Sequence, residues 1–383
     1  MNVPKLRFKE FTDEWQKVKI SSFVNESKRK TGDIKKYPLW SLTIENGVTP
    51  KTDRYERSFL VKKEDNYKIV YPNYYVYNPM NAHLGAIARN KSDKSISVSG
   101  YYDIFSINND YYGFYDNYFI SPVMFKKYKL ISSGSLLEKQ RVHYSQFKEL
   151  KIYLPSDKEQ EKIAKLLSLL DKKIALQTKK IETLKLFKKG LLNELLKCNS
   201  CSKIPLKHIL KERKEYSTKA GNLPHVTLSK NGIEEKTERY NRDFLVKSKN
   251  KKYKTTKIYD LCYNPANLKF GVICLNTYGS AIFSPIYVTF EINHKFNPLY
   301  IGYYVTQQNF INSARKYEQG TVYERMAVAP EDFLKMNIWV PNKHIQDKFS
   351  TILISMDTKL KKENEKLKKL EALKKGFMQN MFV

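Results

Sequence analysis

The sequence predicts an α+β fold in which two homologous α+β domains are separated by a long antiparallel two-helix coiled coil with pseudo-two-fold symmetry. Three observations predict it. The chain repeats itself once, each copy ends in a long stretch with heptad spacing, and the remainder of each copy is rich in β-branched and aromatic residues.

The repeat is the strongest of these signals. Residues 46–62 and 231–247 are identical at eleven of seventeen positions with a shift of 185, and residues 77–87 match 263–273 with a shift of 186. A solenoid would instead show three or more copies with a period of roughly 20–50 residues. The sequence therefore predicts a tandem duplication that gives two similar domains with two similar surfaces.

Composition indicates what those surfaces bind. The chain has 69 Lys and Arg against 39 Asp and Glu, a formal net charge of +30, and such an excess attracts polyanions. Its 383 residues are 41% hydrophobic, enough for two separate cores. No apolar run approaches the length of a membrane span, and residues 1–11 lack the apolar core of a signal peptide. We expect a cytoplasmic protein with no membrane partner and nucleic acid as its first candidate ligand.

Each copy ends in a heptad seam, because apolar residues alternate at spacings of four and three over more than four heptads. Polar residues interrupt both seams at the same positions: Gln177 and Lys188 in the first copy, Glu363 and Lys374 in the second. These interruptions predict a fixed register between facing helices, with a contact to solvent or to a partner as the alternative. The apolar seam residues are Ile163, Leu167, Leu170, Ile174, Ile181, Leu184 and Leu191, and Phe349, Leu353, Met356, Leu360, Leu367, Leu370 and Phe377.

The simplest partner for each helix is the other helix. A helix of about 40 residues is roughly 60 Å long, so the first helix carries the chain that far from the first domain. The second helix has the same length and covers its apolar stripe by running back along the first, which makes the pair antiparallel. The predicted boundaries are 1–155 for the first domain, 156–197 for the first helix, 198–341 for the second domain and 342–383 for the second helix.

Within the domains the signal is mostly β. Residues 69–79, 94–107 and 149–155 are rich in Val, Ile, Tyr and Phe and end at Pro or Gly, which is typical of strands. One further helix is predicted over 298–317, opened by Asn297 and Pro298. Its counterpart over 114–130 is interrupted by Pro122.

The helix motifs carry a resemblance to a known family. The spacing of Pro155, Gln160, Ile163, Leu167 and Asp171 resembles the start of the first conserved helix in specificity subunits of type I restriction–modification systems. The second copy repeats it, and the opening segment 4–20 also resembles the start of that family. The repeated positions are Pro341, Gln346, Leu353, Asp357 and Leu360.

The resemblance implies a non-catalytic, sequence-specific DNA-binding subunit. In the family each domain is a target-recognition domain that reads one half of a bipartite double-stranded DNA target, and the coiled coil sets the gap and docks two methyltransferase subunits. Endonuclease/translocase subunits join the complex. The resemblance also implies that this chain binds no cofactor, and that S-adenosylmethionine, ATP and Mg²⁺ are bound by the partner subunits. In agreement, the glycines form neither GxGxxG nor a GK[ST] ending.

The sequence leaves two alternatives. Tyr77-Asn78-Pro79 and Tyr263-Asn264-Pro265 resemble the Asn-Pro-Pro-aromatic motif of adenine methyltransferases, which suggests a stand-alone DNA adenine methyltransferase. Both copies lack the second proline and the aromatic residue that would stack on a flipped base, so an Asn-Pro turn at the end of a strand is favoured. A coiled-coil scaffold without DNA recognition leaves the charge and the paired domains unexplained.

Candidate DNA-binding residues fall into two groups. Basic residues in the most similar stretch of the two copies favour phosphate contact or a structural role, with a solvated face as the alternative. They are Lys51, Arg54, Arg57, Lys236, Arg239 and Arg242. Base readers are expected where the copies diverge, because two half-sites need not be alike. They are Asn81, His83, Arg89, Asn90, Asn267 and Lys269, together with Lys139, Gln140, Arg141, His143, Tyr323 and Arg325 in the loops before the last strand.

No metal site is predicted. Cys198 and Cys201 form a CxxC, but Cys262 and Cys274 lie twelve residues apart and supply no second pair with zinc-ribbon spacing. The six histidines are dispersed and form no HExxH. We expect the cysteines to be free thiols.

Overall fold

The structure is a computed structural model and forms two compact units. One comprises Met1–Lys180 with Glu363–Val383, and the other comprises Ile181–Lys362. The residues that the structure describes are 2–51, 67–133, 141–195, 201–218, 223–235, 252–319 and 326–383.

The first copy contains eleven strands and four helices in the part that is described, ending in a long helix. They are β1 (Gln16–Lys19), β2 (Val24–Ser27), β3 (Lys30–Thr31), β4 (Trp40–Thr43), β5 (Gly47–Pro50), β6 (Tyr67–Val70), β7 (Tyr75–Tyr77), β8 (Ile87–Arg89), β9 (Ile96–Ser99), β10 (Asp103–Ile107), α1 (Tyr112–Tyr118), α2 (Pro122–Ile131), α3 (Tyr144–Glu149), β11 (Lys151–Leu154) and α4 (Asp157–Leu195).

The second copy repeats these elements in the same order. They are β12 (Ser202–Pro205), β13 (Leu210–Glu212), β14 (Tyr216–Ser217), β15 (Val226–Ser229), β16 (Gly232–Glu235), β17 (Tyr253–Thr256), β18 (Leu261–Tyr263), β19 (Ile273–Leu275), β20 (Ala281–Phe283), β21 (Val288–Ile292), α5 (Pro298–Val305), α6 (Gln308–Ala314), α7 (Pro330–Lys335), β22 (Asn337–Val340) and α8 (Lys343–Asn380). Tyr112 begins α1 and Pro298 begins α5, 186 residues later, so the duplication seen in the sequence extends to the structure.

The sheets are also duplicated. The first domain has a four-stranded antiparallel sheet in the order β2-β10-β7-β8, and the second has the equivalent β13-β21-β18-β19. Among the described residues each domain also has a three-stranded sheet (β3-β6-β9 or β14-β17-β20), a hairpin (β4-β5 or β15-β16) and a pair that joins the first and last strands (β1-β11 or β12-β22). The α+β fold class is confirmed.

Stacked aromatic rings fill the core against the four-stranded sheet. In the first domain the rings of Tyr75 and Phe105 lie 5.3 Å apart with an interplanar angle of 7°. In the second, Tyr263 stacks on Phe290 at 6.0 Å and on Phe333 at 4.7 Å. Each such ring buries a large apolar area, which explains why the sequences of these strands are rich in Tyr, Phe and Val.

The helix predicted over 298–317 is divided. It consists of α5, α6 and a 3-10 turn over Arg315–Tyr317. The backbone of Gln307 is extended (φ −72°, ψ 143°) and interrupts the helix. In the first copy the break falls at Pro122, which is the first residue of α2, and the Ser121 hydroxyl caps that helix by accepting from the Met124 amide at 3.3 Å.

A glutamine fixes the start of each long helix. The Gln160 Nε2 donates to the Pro155 carbonyl at 3.0 Å, and the Gln346 Nε2 donates to the Pro341 carbonyl at 2.8 Å. Both glutamine side chains are buried. This bond ties the first turn of the helix to the proline that ends the preceding strand, which gives the Pro and Gln of the repeated motif a structural role.

The two long helices run antiparallel in each unit. In the first unit Lys374 of α8 pairs with Asp171 of α4 at 2.6 Å, and the Gln177 Nε2 donates to the Glu363 carboxylate at 2.7 Å. In the second unit Lys188 of α4 pairs with Asp357 of α8. Residue numbers rise along one helix as they fall along the other, and none of the predicted seam residues is exposed.

The end of α8 completes the core of the first domain. Met378, Met381 and Phe382 are buried in the same cluster as the aromatic rings of that domain. The Phe382 ring packs edge-on against Tyr118 with centroids 5.3 Å apart, and the Leu6 amide donates to the Asn380 carbonyl at 2.9 Å. The first domain therefore depends on residues from the opposite end of the sequence.

Candidate nucleic-acid interface

Each domain carries a turn that is anchored in the same way. The Tyr77 hydroxyl, at the end of β7, donates to the Val142 carbonyl at 2.6 Å, and the Val142 amide donates to the Pro79 carbonyl at 2.9 Å. In the second domain the Tyr263 hydroxyl donates to the Val328 carbonyl at 3.0 Å, and the Val328 amide donates to the Pro265 carbonyl at 3.1 Å. Burial raises the pKa of both tyrosines, so each remains a neutral donor.

The asparagine of each Tyr-Asn-Pro motif organises this turn. The Asn78 Oδ1 accepts from the Met80 amide at 3.0 Å, and the Asn264 Oδ1 accepts from the Ala266 amide at 3.1 Å. These are the local bonds expected of a strand-ending Asn-Pro turn. The geometry agrees with the turn interpretation and gives no support to a methyltransferase motif.

A glycine in the left-handed region closes each turn. Gly85 has φ +99° and Gly271 has φ +81°, values that favour glycine. A Cβ on Gly85 would also stand 3.1 Å from the Phe125 ring of α2. Each turn therefore has a fixed conformation between an anchored tyrosine and a glycine.

Several predicted base readers lie on this turn or next to it. Asn81 is exposed and His83 half-buried on the turn of the first domain. Arg141 and His143 flank Val142, the residue that hydrogen-bonds to the turn, and both are exposed. The structure thus brings these four residues together although about 60 residues separate the two segments.

The second domain places its candidates on the equivalent turn. Asn267 and Lys269 are half-buried in the 3-10 turn over Pro265–Phe270. The predicted readers Lys139, Gln140, Tyr323 and Arg325 lie outside the described residues, so their roles stay predictions.

Arg89 has a different environment from the one expected. Its guanidinium donates twice to the Asp116 carboxylate, at 3.0 and 2.9 Å, and lies 4.9 Å from the centre of the Tyr112 ring. The equivalent positions in the second domain are Leu275 and Gly302, where a Cβ added to Gly302 would stand 2.9 Å from the Leu275 Cβ. An ion pair in one domain thus corresponds to a leucine packed on a glycine in the other, so packing explains why the copies diverge at this position.

Asn90 is fully buried and bonded to the protein. Its Nδ2 donates to the carbonyls of Val70 (3.2 Å) and Lys94 (2.9 Å), and its Oδ1 accepts from the Ser92 amide at 3.1 Å. The equivalent Asn276 is also buried and makes similar bonds. The signal for this structural role was present in the sequence, because both copies keep the asparagine whereas base readers were expected where they differ.

The predicted phosphate contacts are mostly outside the described residues. Lys51 is exposed at the end of the β4-β5 hairpin. Arg54, Arg57, Lys236, Arg239 and Arg242 lie outside the part of the chain that the structure describes.

Three further properties of the described residues concern metal binding, the cysteines and the membrane. Among the described residues, no group of three or more His, Cys, Asp or Glu side chains is arranged to hold a metal ion. Cys262 and Cys274 are free thiols, whereas Cys201 is disulfide-bonded, so the expectation of free thiols is wrong there. None of the described helices has the length and apolar character needed to cross a membrane.

The family comparison identifies the class of protein. Residues 12–186 match the family described as Type I restriction modification DNA specificity domain. The matched part of the chain holds nearly all of the first domain and most of α4. The resemblance inferred from the helix motifs is confirmed.

Solved structures share the fold over nearly the whole chain. The S subunit of a type I restriction–modification system from M. genitalium is 13% identical, with a TM-score of 0.61 over 100% of this chain and 99% of that one. A chain from a structure that concerns complex assembly and conformational transition of the type I R-M system is 11% identical, with a TM-score of 0.56 over 96% of this chain and 97% of that one. At such identities the likeness shows the fold alone. No curated protein matches this sequence.

Proposed function

We propose that this chain is the DNA specificity subunit of a type I restriction–modification complex, and that each domain reads one half of a bipartite target. The observation that carries the proposal is the anchored turn, which is built by the same hydrogen bonds in both domains of a chain whose residues 12–186 match this family. Two rigid turns of the same design, each carrying polar side chains, are suited to reading two separate DNA segments.

The long helices are proposed to set the gap and to dock the partner subunits. Leu169 and Leu176 of α4 are 57% and 68% exposed. Because they lie seven residues apart, they share one face of the helix, and they are not part of the seam. Exposed apolar residues on one face are typical of interaction surfaces. We expect the two methyltransferase subunits to dock on the outer faces of the helices, with the endonuclease/translocase subunits joining that assembly.

We assign no catalytic step to this chain. In the proposed complex S-adenosylmethionine, ATP and Mg²⁺ are bound by the partner subunits, and this chain supplies DNA contacts and scaffolding in the cytoplasm. The predicted domain boundaries at residues 155, 197 and 341 remain part of the same proposal.

DNA binding with and without the methyltransferase partner tests this division of roles. With a net charge of +30, the purified chain should bind duplex DNA with an affinity that falls steeply as salt rises. Strong preference for one sequence, and methyl transfer, should appear only when the methyltransferase subunits are added. Binding that does not depend on salt, or methyl transfer by this chain alone, would refute the proposal.

A further inference from the structure

An exposed apolar residue occupies the same position in both anchored turns. Leu84 is 51% exposed and Phe270 is 55% exposed. They lie 186 residues apart, and each immediately precedes the glycine that closes its turn. Tyr101 and Ile286 also correspond and are exposed, but they lie outside the turn that carries the predicted base readers. Single exposed apolar residues are common, but recurrence at the tip of a rigid turn in both copies requires an explanation.

The surroundings of Phe270 are cationic. The Lys269 Nζ lies 5.4 Å from the ring centre, and the Lys230 Nζ lies 5.9 Å from it. Lys230 comes from the neighbouring β15-β16 hairpin, whereas Lys269 belongs to the turn itself. The ring is therefore an exposed apolar tip with ammonium groups from two separate elements beside it.

The first domain has the same arrangement of hairpin and turn, with an exposed isoleucine on the hairpin. Ile44, the residue after β4, is half-exposed and its Cγ2 is 4.0 Å from where a Cβ on Gly85 would stand. Ile44 and Gly85 line the same cleft of about 260 Å³. Gly85, the residue after Leu84, thus lies beside a second exposed apolar residue, Ile44, on the hairpin that corresponds to the one carrying Lys230.

An apolar tip with cations beside it is complementary to duplex DNA, whose charged phosphates lie outside a stack of apolar base faces. Apolar side chains such as Phe and Leu insert between base steps and partly unstack them, while nearby lysines bind phosphates. A wedge of this kind needs a rigid base, which the tyrosine hydroxyl bond and the backbone bond from the valine amide to the proline carbonyl provide in each turn.

We propose that Leu84 and Phe270 are base-contacting wedges, one for each half of the target, and that Lys230 and Lys269 bind the phosphates next to Phe270. This inference rests on the proposed function, since it names residues through which each domain contacts its half-site. The difference between Leu and Phe gives the two domains different wedges, in agreement with two different half-sites.

Alanine substitution in the full chain, assembled with its methyltransferase partner, tests the proposal. The probe is a duplex that carries the sequence methylated by the wild-type complex, with 2-aminopurine placed in turn at positions of each half-site. Phe270→Ala should weaken binding by roughly 5- to 150-fold, the usual range for loss of a stacked aromatic ring. It should also abolish the 2-aminopurine signal of unstacking in one half-site only, and Leu84→Ala should do so in the other half.

Salt dependence separates the wedge from its lysines. Phe270→Ala should leave the slope of log affinity against log salt unchanged, whereas Lys269→Ala should reduce that slope by about one. Ile258→Ala is the matched control, because Ile258 has the same 55% exposure in the same domain and lies outside the turn. The DNA affinity and the 2-aminopurine signal of this variant should equal those of the wild type.

Three results would overturn the inference. Phe270→Ala and Ile258→Ala with equal affinity would exclude a wedge. Loss of methyltransferase assembly with unchanged DNA affinity would identify Phe270 as a protein contact, and unstacking that persists in Phe270→Ala would place the wedge elsewhere. If the wild-type complex itself showed no site preference, the proposed function would fail before any variant was compared, so the two failures are distinguishable.

Discussion

At the scale of residues, the two copies can differ at a position because the residues read different bases or because they pack differently. The sequence shows that the residues differ but not which of these causes applies. Arg89 was predicted as a base reader because the second copy has a different residue there. The structure shows that it pairs with Asp116, where the second domain packs Leu275 against Gly302. Both members of each pair differ together, but they lie 27 residues apart in the sequence. Nothing in the local pattern indicates that they touch, and so this part of the candidate site was beyond sequence reasoning.

Exchanging the pair tests this explanation. Arg89→Leu or Asp116→Gly alone leaves a largely buried charge without its main partner, and each should lower the free energy of unfolding by about 2 kcal/mol. The double variant recreates the Leu-Gly combination of the second domain. It should be more stable than the sum of the single effects implies, by at least about 1 kcal/mol. Urea unfolding of the four proteins measures this coupling, and strictly additive effects would contradict it.

At the scale of elements, heptad spacing and the repeated Pro-Gln motif were sufficient to predict the long helices. The same spacing located the polar interruptions but not their partners, because a seam pattern does not say which polar side chains meet. Glu363 is buried and bonded to Gln177 at 2.7 Å and to Lys180 at 2.8 Å. Gln177 and Glu363 are also equivalent positions of the repeat, separated by 186 residues, so each meets its own counterpart from the other copy.

This contact predicts a specific pH dependence. The hydrogen bonds from Gln177 and Lys180 lower the pKa of Glu363 from an ordinary value of 4.5 to about 2. A lowered carboxyl pKa stabilises the fold above the unfolded value, and that contribution is lost as pH falls from about 4.5 towards 2. Glu363→Gln should therefore flatten the decline of unfolding free energy in this window. Glu365→Gln, at an exposed position on the same helix, is the control and should keep the wild-type profile; equal profiles for all three proteins would contradict the assignment.

Exchanging Gln177 and Glu363 between the two helices gives a second prediction. Lys366 occupies in the second copy the position that Lys180 occupies in the first. Gln177→Glu alone places two carboxylates side by side and should lower the melting temperature at neutral pH. Adding Glu363→Gln should restore it, because the relocated carboxylate then meets Lys366 in place of Lys180. Thermal unfolding measures this, and a double variant no more stable than Gln177→Glu would show that the contact depends on more than this pair.

At the scale of the whole molecule, the duplication was the best predictor of the fold. It predicted two domains and two long helices, and among the described residues every strand and α-helix of the first copy recurs in the same order in the second. The sequence did not show that Met378, Met381 and Phe382 complete the core of the first domain, because the chain segments that meet there are more than 200 residues apart. Contacts at that separation depend on where the helices lead the chain, which local patterns do not encode.

The length of the helices is predicted to set the gap between half-sites. Seven residues added after Gln177 and seven after Glu363 lengthen both helices by roughly 10 Å and keep the seam facing its partner. This corresponds to about three base pairs at 3.4 Å each. The methylated target should keep both half-sites and gain a longer gap. An unchanged gap with full activity would show that the length of these helices does not set the distance between the half-sites.

The central claim is that each domain reads its own half of the target, and a domain exchange tests it most directly. Residues 1–155 should be replaced by the equivalent domain of a relative together with residues 377–383, because the end of α8 packs in the core of that domain. The chimera is expressed with the methyltransferase partner, and the methylated sequences of the host genome are determined. The account predicts that one half-site changes while the other stays as in the wild type. A target in which both halves change together would contradict it.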